Sequence, residues 1–299
     1  MREIAIVDLI RQLSAEYTRS KTLIKGIGDD CAILRPNPKE DLVFTTDFLL
    51  EGRHFERDTH TAADVGRKAL ARSLSDLAAM GSEPVFCLVS LAIPSALAAR
   101  WVKGFYAGFL ALASRHRIPL AGGDLAQSDR VLVDVMCCGR VPRGKALTRS
   151  GAKPGDYVFV TGALGASANG FAKRRGANWK RHLRPEPRME AGLELRRLRV
   201  SAAMDLSDGL SLDLARLCRE SQVSAELSSI PFARGVTREE ALHGGEDYEL
   251  LFTASARAKI PEALGSLPVT RIGVIKRGNP GRVLFEGRVL KPKGFDHFA

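Results

Sequence analysis

Carboxylates gather beside Gly, Ser or Thr at six places in this chain: Gly28-Asp29-Asp30, Thr45-Thr46-Asp47, Ser75-Asp76, Gly122-Gly123-Asp124, Asp205-Leu206-Ser207-Asp208 and Gly244-Gly245-Glu246-Asp247. The chain as a whole is basic, with formal charge +11 and a sequence pI near 9.7. Acids concentrated where apolar segments break, in a basic protein, ask for a cation. Mg²⁺ is the simplest candidate, because it takes oxygen ligands, attaches through one or two carboxylates and keeps substrate phosphate in its shell. A nucleotide then belongs with it.

Each stretch also has an ordinary structural explanation. Asp29-Asp30 could make an Asx turn, and Thr45 and Thr46 could be plain strand residues with Asp47 capping the next segment. Asp76 falls in the last turn of an expected helix, where it opposes the negative dipole end and needs a compensating charge. Arg72, one turn earlier, could supply that charge in place of a metal. Gly122-Gly123 permit either close backbone approach to a ligand or a turn. Ser207 suits an N-cap with Asp208 in the first helical turn, and the same helix start could meet phosphate or metal.

The familiar phosphate-loop patterns fail. Gly139-Arg140-Val141-Pro142-Arg143-Gly144-Lys145-Ala146 has the glycine and lysine spacing of a P-loop, but Ala146 stands where a hydroxyl should reach Mg²⁺. Gly26-Ile27-Gly28 is followed by Cys31 in place of the third glycine of a dinucleotide fingerprint. No H-R-D or D-F-G set points to a protein kinase. If phosphates bind, metals and carboxylates must do most of the holding.

The elements that would position these acids alternate as in two α/β units. Asp41–Thr46 reads as a strand ending at Asp47. A helix is expected from about Ala62 to Met80, with Val65, Ala69, Leu70, Leu74 and Leu77 on its apolar stripe and Gly81 and Pro84 as stops. Val85–Ala92 reads as a buried strand, Trp101–His116 as a helix and Val131–Cys138 as a strand. The first unit should end near Pro142, with a Gly-, Lys-, Arg- and Pro-rich connector over 143–155. Tyr157–Val160 and Tyr248–Thr253 read as strands of the second unit. Leu210, Leu214 and Leu217 share a helix face, and the repeated Gly-Arg-Val-Leu at 281–284 and 287–290 reads as a hairpin.

Composition bounds the rest. With 299 residues, 45% hydrophobic and 26% charged, the chain reads as a soluble globular protein of one large or two medium domains. The longest uncharged run, Pro84–Ala99, is too short for a bilayer, and Met1–Asp8 lacks the apolar core of a signal peptide, so a cytoplasmic protein without membrane attachment is expected. Cys31, Cys87, Cys137, Cys138 and Cys218 have no C-x-x-C spacing and read as buried thiols. Between Phe171 and Arg199 ten basic residues face three acids. Only Trp179 interleaves as a stacking aromatic there, so a solvated loop and helix face is expected, with no nucleic-acid partner.

In order along the chain, the motifs resemble one family. Gly-Ile-Gly-Asp-Asp-Cys-Ala-Ile-Leu (26–34), Thr-Thr-Asp-Phe-Leu-Leu-Glu-Gly-Arg-His-Phe (45–55), Leu-Ser-Asp-Leu-Ala-Ala-Met-Gly-Ser-Glu-Pro (74–84), Gly-Gly-Asp (122–124), Ala-Leu-Thr-Arg-Ser-Gly-Ala-Lys-Pro-Gly-Asp (146–156), Met-Asp-Leu-Ser-Asp-Gly-Leu (204–210), Gly-Gly-Glu-Asp-Tyr-Glu-Leu (244–250) and Gly-Phe-Asp-His-Phe (294–298) are similar to those of thiamine-monophosphate kinases. The resemblance implies a mixed α/β fold of two domains like that of aminoimidazole ribonucleotide synthetase. Residues 1–142 would form an N-terminal ATP/Mg-binding and dimerisation domain contributing to a β-barrel shared by a homodimer. Residues 143–299 would form a C-terminal α/β domain completing the nucleotide and substrate site. The implied reaction is ATP-dependent phosphorylation of thiamine monophosphate to thiamine diphosphate. Alternatives are a superfamily enzyme with another acceptor, or a non-catalytic nucleotide-binding protein.

Carried over by residue, the resemblance implies several Mg²⁺ ions held by Asp30, Thr45, Thr46, Asp47, Asp76, Asp124, Asp205 and Asp208. ATP would meet Tyr106, Gly123, Asp124, Arg149 and Ser207, while His54, Glu246 and Phe295 would face thiamine monophosphate. Asp47, Asp124 and Arg149 would carry the chemistry. An aromatic face at Phe295 and a negative charge at Glu246 suit a cationic thiazolium. Arg53 departs from the family, where a small apolar residue precedes the histidine, and the segment 220–243 is short.

Overall fold

Residues 23–25, 29–97 and 99–295 are described by the computed structural model. Met1–Asp8, Gly26-Ile27-Gly28 and the motif residues 296–298, each of which carries a sequence-based expectation, lie outside them. The first sheet is built on alternation: in the strand over 40–50, Val43, Thr45 and Leu49 are buried while Thr46 and Phe48 are exposed. Its strands are β1 (Leu23–Lys25), β2 (Ala32–Leu34), β3 (Glu40–Leu50), β4 (Glu83–Ile93), β5 (Leu120–Gln127) and β6 (Leu132–Pro142), in the order β1-β2-β3-β6-β4-β5. Pairing is antiparallel except between β4 and β5. This six-stranded sheet is open, with no closed barrel among the described residues.

Two helices cover one face of it. Thr61 accepts from the Asp64 backbone N–H at 3.2 Å and opens α1 (Ala62–Ala79), with Asp64 itself favouring the positive dipole end. The second helix, α2 (Ala99–Arg115), crosses α1 at close range. A Cβ on Gly66 would lie 2.0 Å from the Phe105 carbonyl oxygen, and one on Gly108 would lie 1.9 Å from that of Ala63, so only glycine admits this crossing.

The second sheet comprises β7 (Tyr157–Thr161), β8 (Ala202–Asp205), β9 (Ser224–Leu227), β10 (Leu250–Ala254), β11 (Ala263–Leu264), β12 (Leu267–Lys276), β13 (Val283–Phe285) and β14 (Arg288–Val289). Its order is β14-β13-β9-β12-β7-β10-β8, with β11 paired to β12. Helices α3 (Ala166–Lys173), α4 (Gly176–Leu183), α5 (Met189–Leu198), α6 (Leu210–Glu220) and α7 (Arg238–His243) connect these strands. The expected hairpin is β13–β14, turning through Glu286 and Gly287 at φ 52° and 75°. Leu210, Leu214 and Leu217 are buried together, and all five cysteines are free and buried.

Four expectations need correction. β3 does not stop at Asp47 but pairs with β6 through Leu50. Gly122-Gly123 are not a turn: they lie in edge strand β5, where a Cβ on Gly123 would sit 1.8 Å from the Val89 carbonyl oxygen. Ser207 does not cap α6; the Asp213 carboxylate reaches back from the first turn to accept from the Asp208 and Gly209 N–H groups, both at 3.0 Å. Tyr248, at φ 51°, precedes β10 and is not part of it.

The basic window is only partly a solvated face. Lys173, Arg174, Arg175 and Lys180 are exposed. Arg188 and Arg181, however, both pair with Glu249, whose side chain is fully buried (Arg188 at 2.6 Å). Arg184 pairs with Asp64 at 2.6 Å, and Arg196 donates to the Gly81 carbonyl at 2.6 Å. Arg184 and Arg196 thereby tie the second unit to α1 and the turn that follows it, while Arg181 and Arg188 brace the second unit internally. The apolar core follows the same seam, running from Val65, Leu70 and Leu77 of α1 to Phe159, Met189, Leu195, Leu250 and Phe252.

Candidate active site

Helix α1 carries Asp64, Lys68, Arg72 and Asp76 at four-residue spacing, a polar stripe on one side of an otherwise buried helix. Each member finds its partners across the seam or on β3. Asp64 takes Arg184 and Lys68 takes Glu246 at 2.8 Å. Arg72 lies 3.5 Å from Asp47 and 3.7 Å from Glu246, so it does not compensate Asp76 as its spacing allowed.

Asp76 instead joins other acids. Ligand oxygens of Asp30, Asp76 and Asp205 lie within 4.8 Å of one another. The Thr45 hydroxyl donates to Asp76, and Ser75 donates to Asp205 at 2.6 Å. Arg149 grips Asp30 through two bonds of 2.9 and 3.1 Å, while its backbone N–H donates to Asp29 at 3.1 Å. Burial, then the neighbouring charges of Asp47, Asp205 and Asp30, pushes the Asp76 carboxyl well above the ordinary carboxylate range. Burial and Asp30 do the same to Asp205, and burial with Asp30 raises Asp29 to about 6. Burial alone would lower Arg149; Asp30 and Asp29 more than reverse it, so the guanidinium stays charged. The donor set is hard oxygen with surplus negative charge, which fits a small divalent cation such as Mg²⁺.

These residues line a cavity of about 490 Å³ between the units, together with Thr46, Asp47, Arg53, His54, Phe171, His182, Ser207, Asp208, Arg216, Glu246, Tyr248 and Phe295. Two loops close its floor, zipped by Glu246 N–H to Ser207 carbonyl (2.7 Å) and Tyr248 N–H to Leu206 carbonyl (2.9 Å). Glu246 and Tyr248 both hold left-handed backbone, φ 63° and 51°, a strained conformation that tertiary contacts must enforce. The N–H groups before α6 are occupied by Asp213, whose carboxyl is raised to about 7 by burial and then by Asp208. Arg216 bridges Asp208 and Asp213.

At the opposite end, buried His54 accepts from the Leu50 N–H at Nδ1 (3.0 Å), and its ring centre lies 5.9 Å from that of Phe295. Burial works to raise Glu246, yet Lys68, His182 and Arg72 outweigh it and bring its carboxyl to about 2. Glu246 is a fixed anion.

The structure thus brings Asp30, Thr45, Asp47, Asp76, Arg149, Asp205, Ser207, Asp208, His54, Glu246 and Phe295 to one cavity. It does not bring three others there. Asp124 and Gly123 lie on exposed edge strand β5, and Tyr106 packs edge-on against Phe105 on α2 (centroids 5.2 Å). Thr46 borders the cavity, but its hydroxyl donates to Asp134 at 2.5 Å on the open face of the sheet. Lys68, His182, Asp213 and Arg216 were not singled out by sequence reasoning. For Lys68 a signal exists: a lysine inside a buried helical stripe, four residues from Arg72 and eight from Asp76.

Residues 28–141 match the N-terminal domain of AIR synthase related proteins, and residues 153–285 match the C-terminal domain. Thiamine-monophosphate kinase of Escherichia coli (strain K12) is 40% identical over 92% of this chain and 92% of its own. That of Bacillus subtilis (strain 168) is 34% identical over 97% and 98%. Among solved structures, AaThiL complexed with AMPPCP and TMP superposes with TM-score 0.88 at 32% identity, covering 99% of this chain and 97% of that one. With two curated relatives above 30% identity over nearly the full length, the chain belongs to the thiamine-monophosphate kinase family.

Proposed function

We propose that the cavity transfers the γ-phosphoryl group of ATP directly to the phosphate of thiamine monophosphate, giving thiamine diphosphate and ADP. The observation that carries this reading is the pairing of two unlike ends in one cavity: clustered acids at Asp30, Asp76 and Asp205, and a fixed anion with an aromatic ring at Glu246 and Phe295. An acceptor phosphate is already ionised near neutral pH, so no strong general base is needed. The barrier lies in bringing two anions together in line.

Asp30, Thr45, Asp47, Asp76, Asp205 and Asp208 would hold Mg²⁺, with Thr46 and Asp124 as further ligands. Bound Mg²⁺ supplies charge neutralisation and alignment of phosphate oxygens. The chain's own groups do the rest. Arg149, held charged beside Asp30, offers a guanidinium for an ATP phosphate once cations take over the carboxylates. Ser207, on the lining of the same cavity, is a further nucleotide contact. Glu246 faces the positive thiazolium and Phe295 gives it an aromatic surface, with His54 beside Phe295 at the same end of the cavity.

Residues 1–142 serve ATP, Mg²⁺ and dimerisation, and residues 143–299 complete the site. A homodimer is supported by two uncovered apolar side chains of the first sheet, Phe48 on its open face and Leu125 on edge strand β5, which are 60% and 70% exposed. A second copy along edge strand β5 would cover Leu125 and meet Gly123 and Asp124, which one chain leaves outside its own cavity. We place the protein in the cytoplasm; no helix among the described residues is long and apolar enough to cross a membrane. The test is direct: purified protein with ATP, Mg²⁺ and thiamine monophosphate should form thiamine diphosphate and ADP. ATP binding without product would refute the reading.

A further inference from the structure

Lys68 is completely buried, yet it does not border the cavity. An ammonium has three protons, and here each has one acceptor: Glu246 Oε2 at 2.8 Å, the His54 carbonyl at 3.3 Å and His182 Nε2 at 3.4 Å. Two of the three belong to residues that face the acceptor substrate in the proposed reaction. The third accepts because His182 is neutral: burial, then Lys68, depresses its ring to about 3. His182 is itself fixed, with Nδ1 2.9 Å from the Ser167 hydroxyl and its ring stacked on Trp179 at 5.2 Å.

We infer that Lys68 is a positioning residue for the acceptor end of the cavity, holding the Glu246 carboxylate and the His54 backbone in the arrangement that receives the cationic substrate. The inference rests on the kinase reading of the site. Glu246's other cationic neighbour, Arg72, is 3.7 Å away and shared with Asp47, so Lys68 is its close partner. The Glu246 backbone is locked by its bond to Ser207, which leaves the side chain's direction to Lys68. Lys68 also bridges the two units, because α1 belongs to the first and Glu246 and His182 to the second. A charge pair across the seam ties the shape of the acceptor site to the packing of the two units.

The experiment compares the parent protein with Lys68→Met, Lys68→Gln, Glu246→Gln and the double variant Lys68→Met/Glu246→Gln. KM is measured separately for thiamine monophosphate and for ATP. Each Lys68 variant should raise KM for thiamine monophosphate about tenfold or more and leave KM for ATP within about twofold. In the Glu246→Gln background, Lys68→Met should add less than about threefold, because its effect passes through Glu246. A merely structural lysine would lower the folded fraction and leave this KM split unmoved. Lys68→Gln keeps a hydrogen-bond donor and so preserves the test if Lys68→Met fails to fold. An unchanged KM for thiamine monophosphate in a folded variant, or a full additional tenfold rise in the Glu246→Gln background, overturns the role given to Lys68. A parent protein that makes no thiamine diphosphate overturns the kinase reading instead.

Discussion

At the Asp76 end of helix α1, buried carboxylates from two other segments, Asp29-Asp30 and Asp205, crowd together with more negative charge than Arg149 can neutralise. At the Lys68 end, about two turns away, a buried cation meets Glu246 at 2.8 Å, with two further acceptors for its remaining protons. One stripe of one helix therefore has an end that is satisfied by the protein and an end that is not. The satisfied end needs no ligand to hold its shape. The unsatisfied end raises carboxyl pKa values and gains stability only when a cation arrives.

Substitutions should break this contrast in opposite senses. Asp205→Asn keeps an acceptor for Ser75 but removes one buried charge from the acid cluster. Turnover should fall roughly 10³-fold, equivalent to several kcal/mol of transition-state stabilisation. In chelator the same variant should unfold at a higher temperature than the parent, since repulsion is relieved. Near-normal turnover, or a lower unfolding temperature in chelator, would show that the acids are structural. Lys68→Met should act the other way, leaving Glu246 without its close partner. Removing one member of a buried pair costs several kcal/mol; with Glu246 still 22% exposed and Arg72 nearby, about 2 kcal/mol is expected in urea unfolding. The loss should persist with or without Mg²⁺.

Magnesium and pH separate the ends more finely. Asp29 at about 6, and Asp76 and Asp205, both pushed well above the ordinary carboxylate range, must lose protons before a cation can bind. Folded pKa values above unfolded ones mean that the metal-free protein loses this share of stability as pH rises from about 4 through the folded values. Mg²⁺ should restore it. The gain in unfolding temperature on adding Mg²⁺ is therefore expected to be several degrees larger at pH 8 than at pH 5.5. An equal gain at both would contradict carboxylate binding.

What the sequence displayed of this site was local. Acids set beside Gly, Ser and Thr at the ends of apolar runs marked Asp30, Asp47, Asp76, Asp205 and Glu246, because each segment's chemistry is written within five residues. The four-residue spacing of Asp64, Lys68, Arg72 and Asp76 was equally visible. Their partners were not: Lys68 and Glu246 are 178 residues apart, and Asp64 and Arg184 are 120 apart. Arg72 shows the consequence. Helical spacing offered Asp76 as its partner, while the tertiary fold gave it Asp47 and Glu246. Strand β5 was hidden for a different reason, since Gly122-Gly123 signal a turn locally, whereas Gly123 is required by the close approach of β4.

The smallest test concerns the aromatic surround of the Lys68 end. His60 is buried edge-on against Phe55, Trp179 and His182, with centroids 5.3 to 6.1 Å away. Burial, then Lys68, depresses its ring to about 4, as the same two causes depress His182 to about 3. Here the folded pKa lies below the unfolded value near 6.5, so both rings contribute stability that is complete above that pH and lost as pH falls toward 4. The acid end has the reverse sign. His60→Phe keeps the ring in an aromatic cage and removes one of the two titrating groups. Between pH 7 and pH 5 the unfolding temperature of the variant should fall less than that of the parent, by a few degrees at most. A variant that tracks the parent's acid-side decline would place the loss elsewhere than in this buried ring.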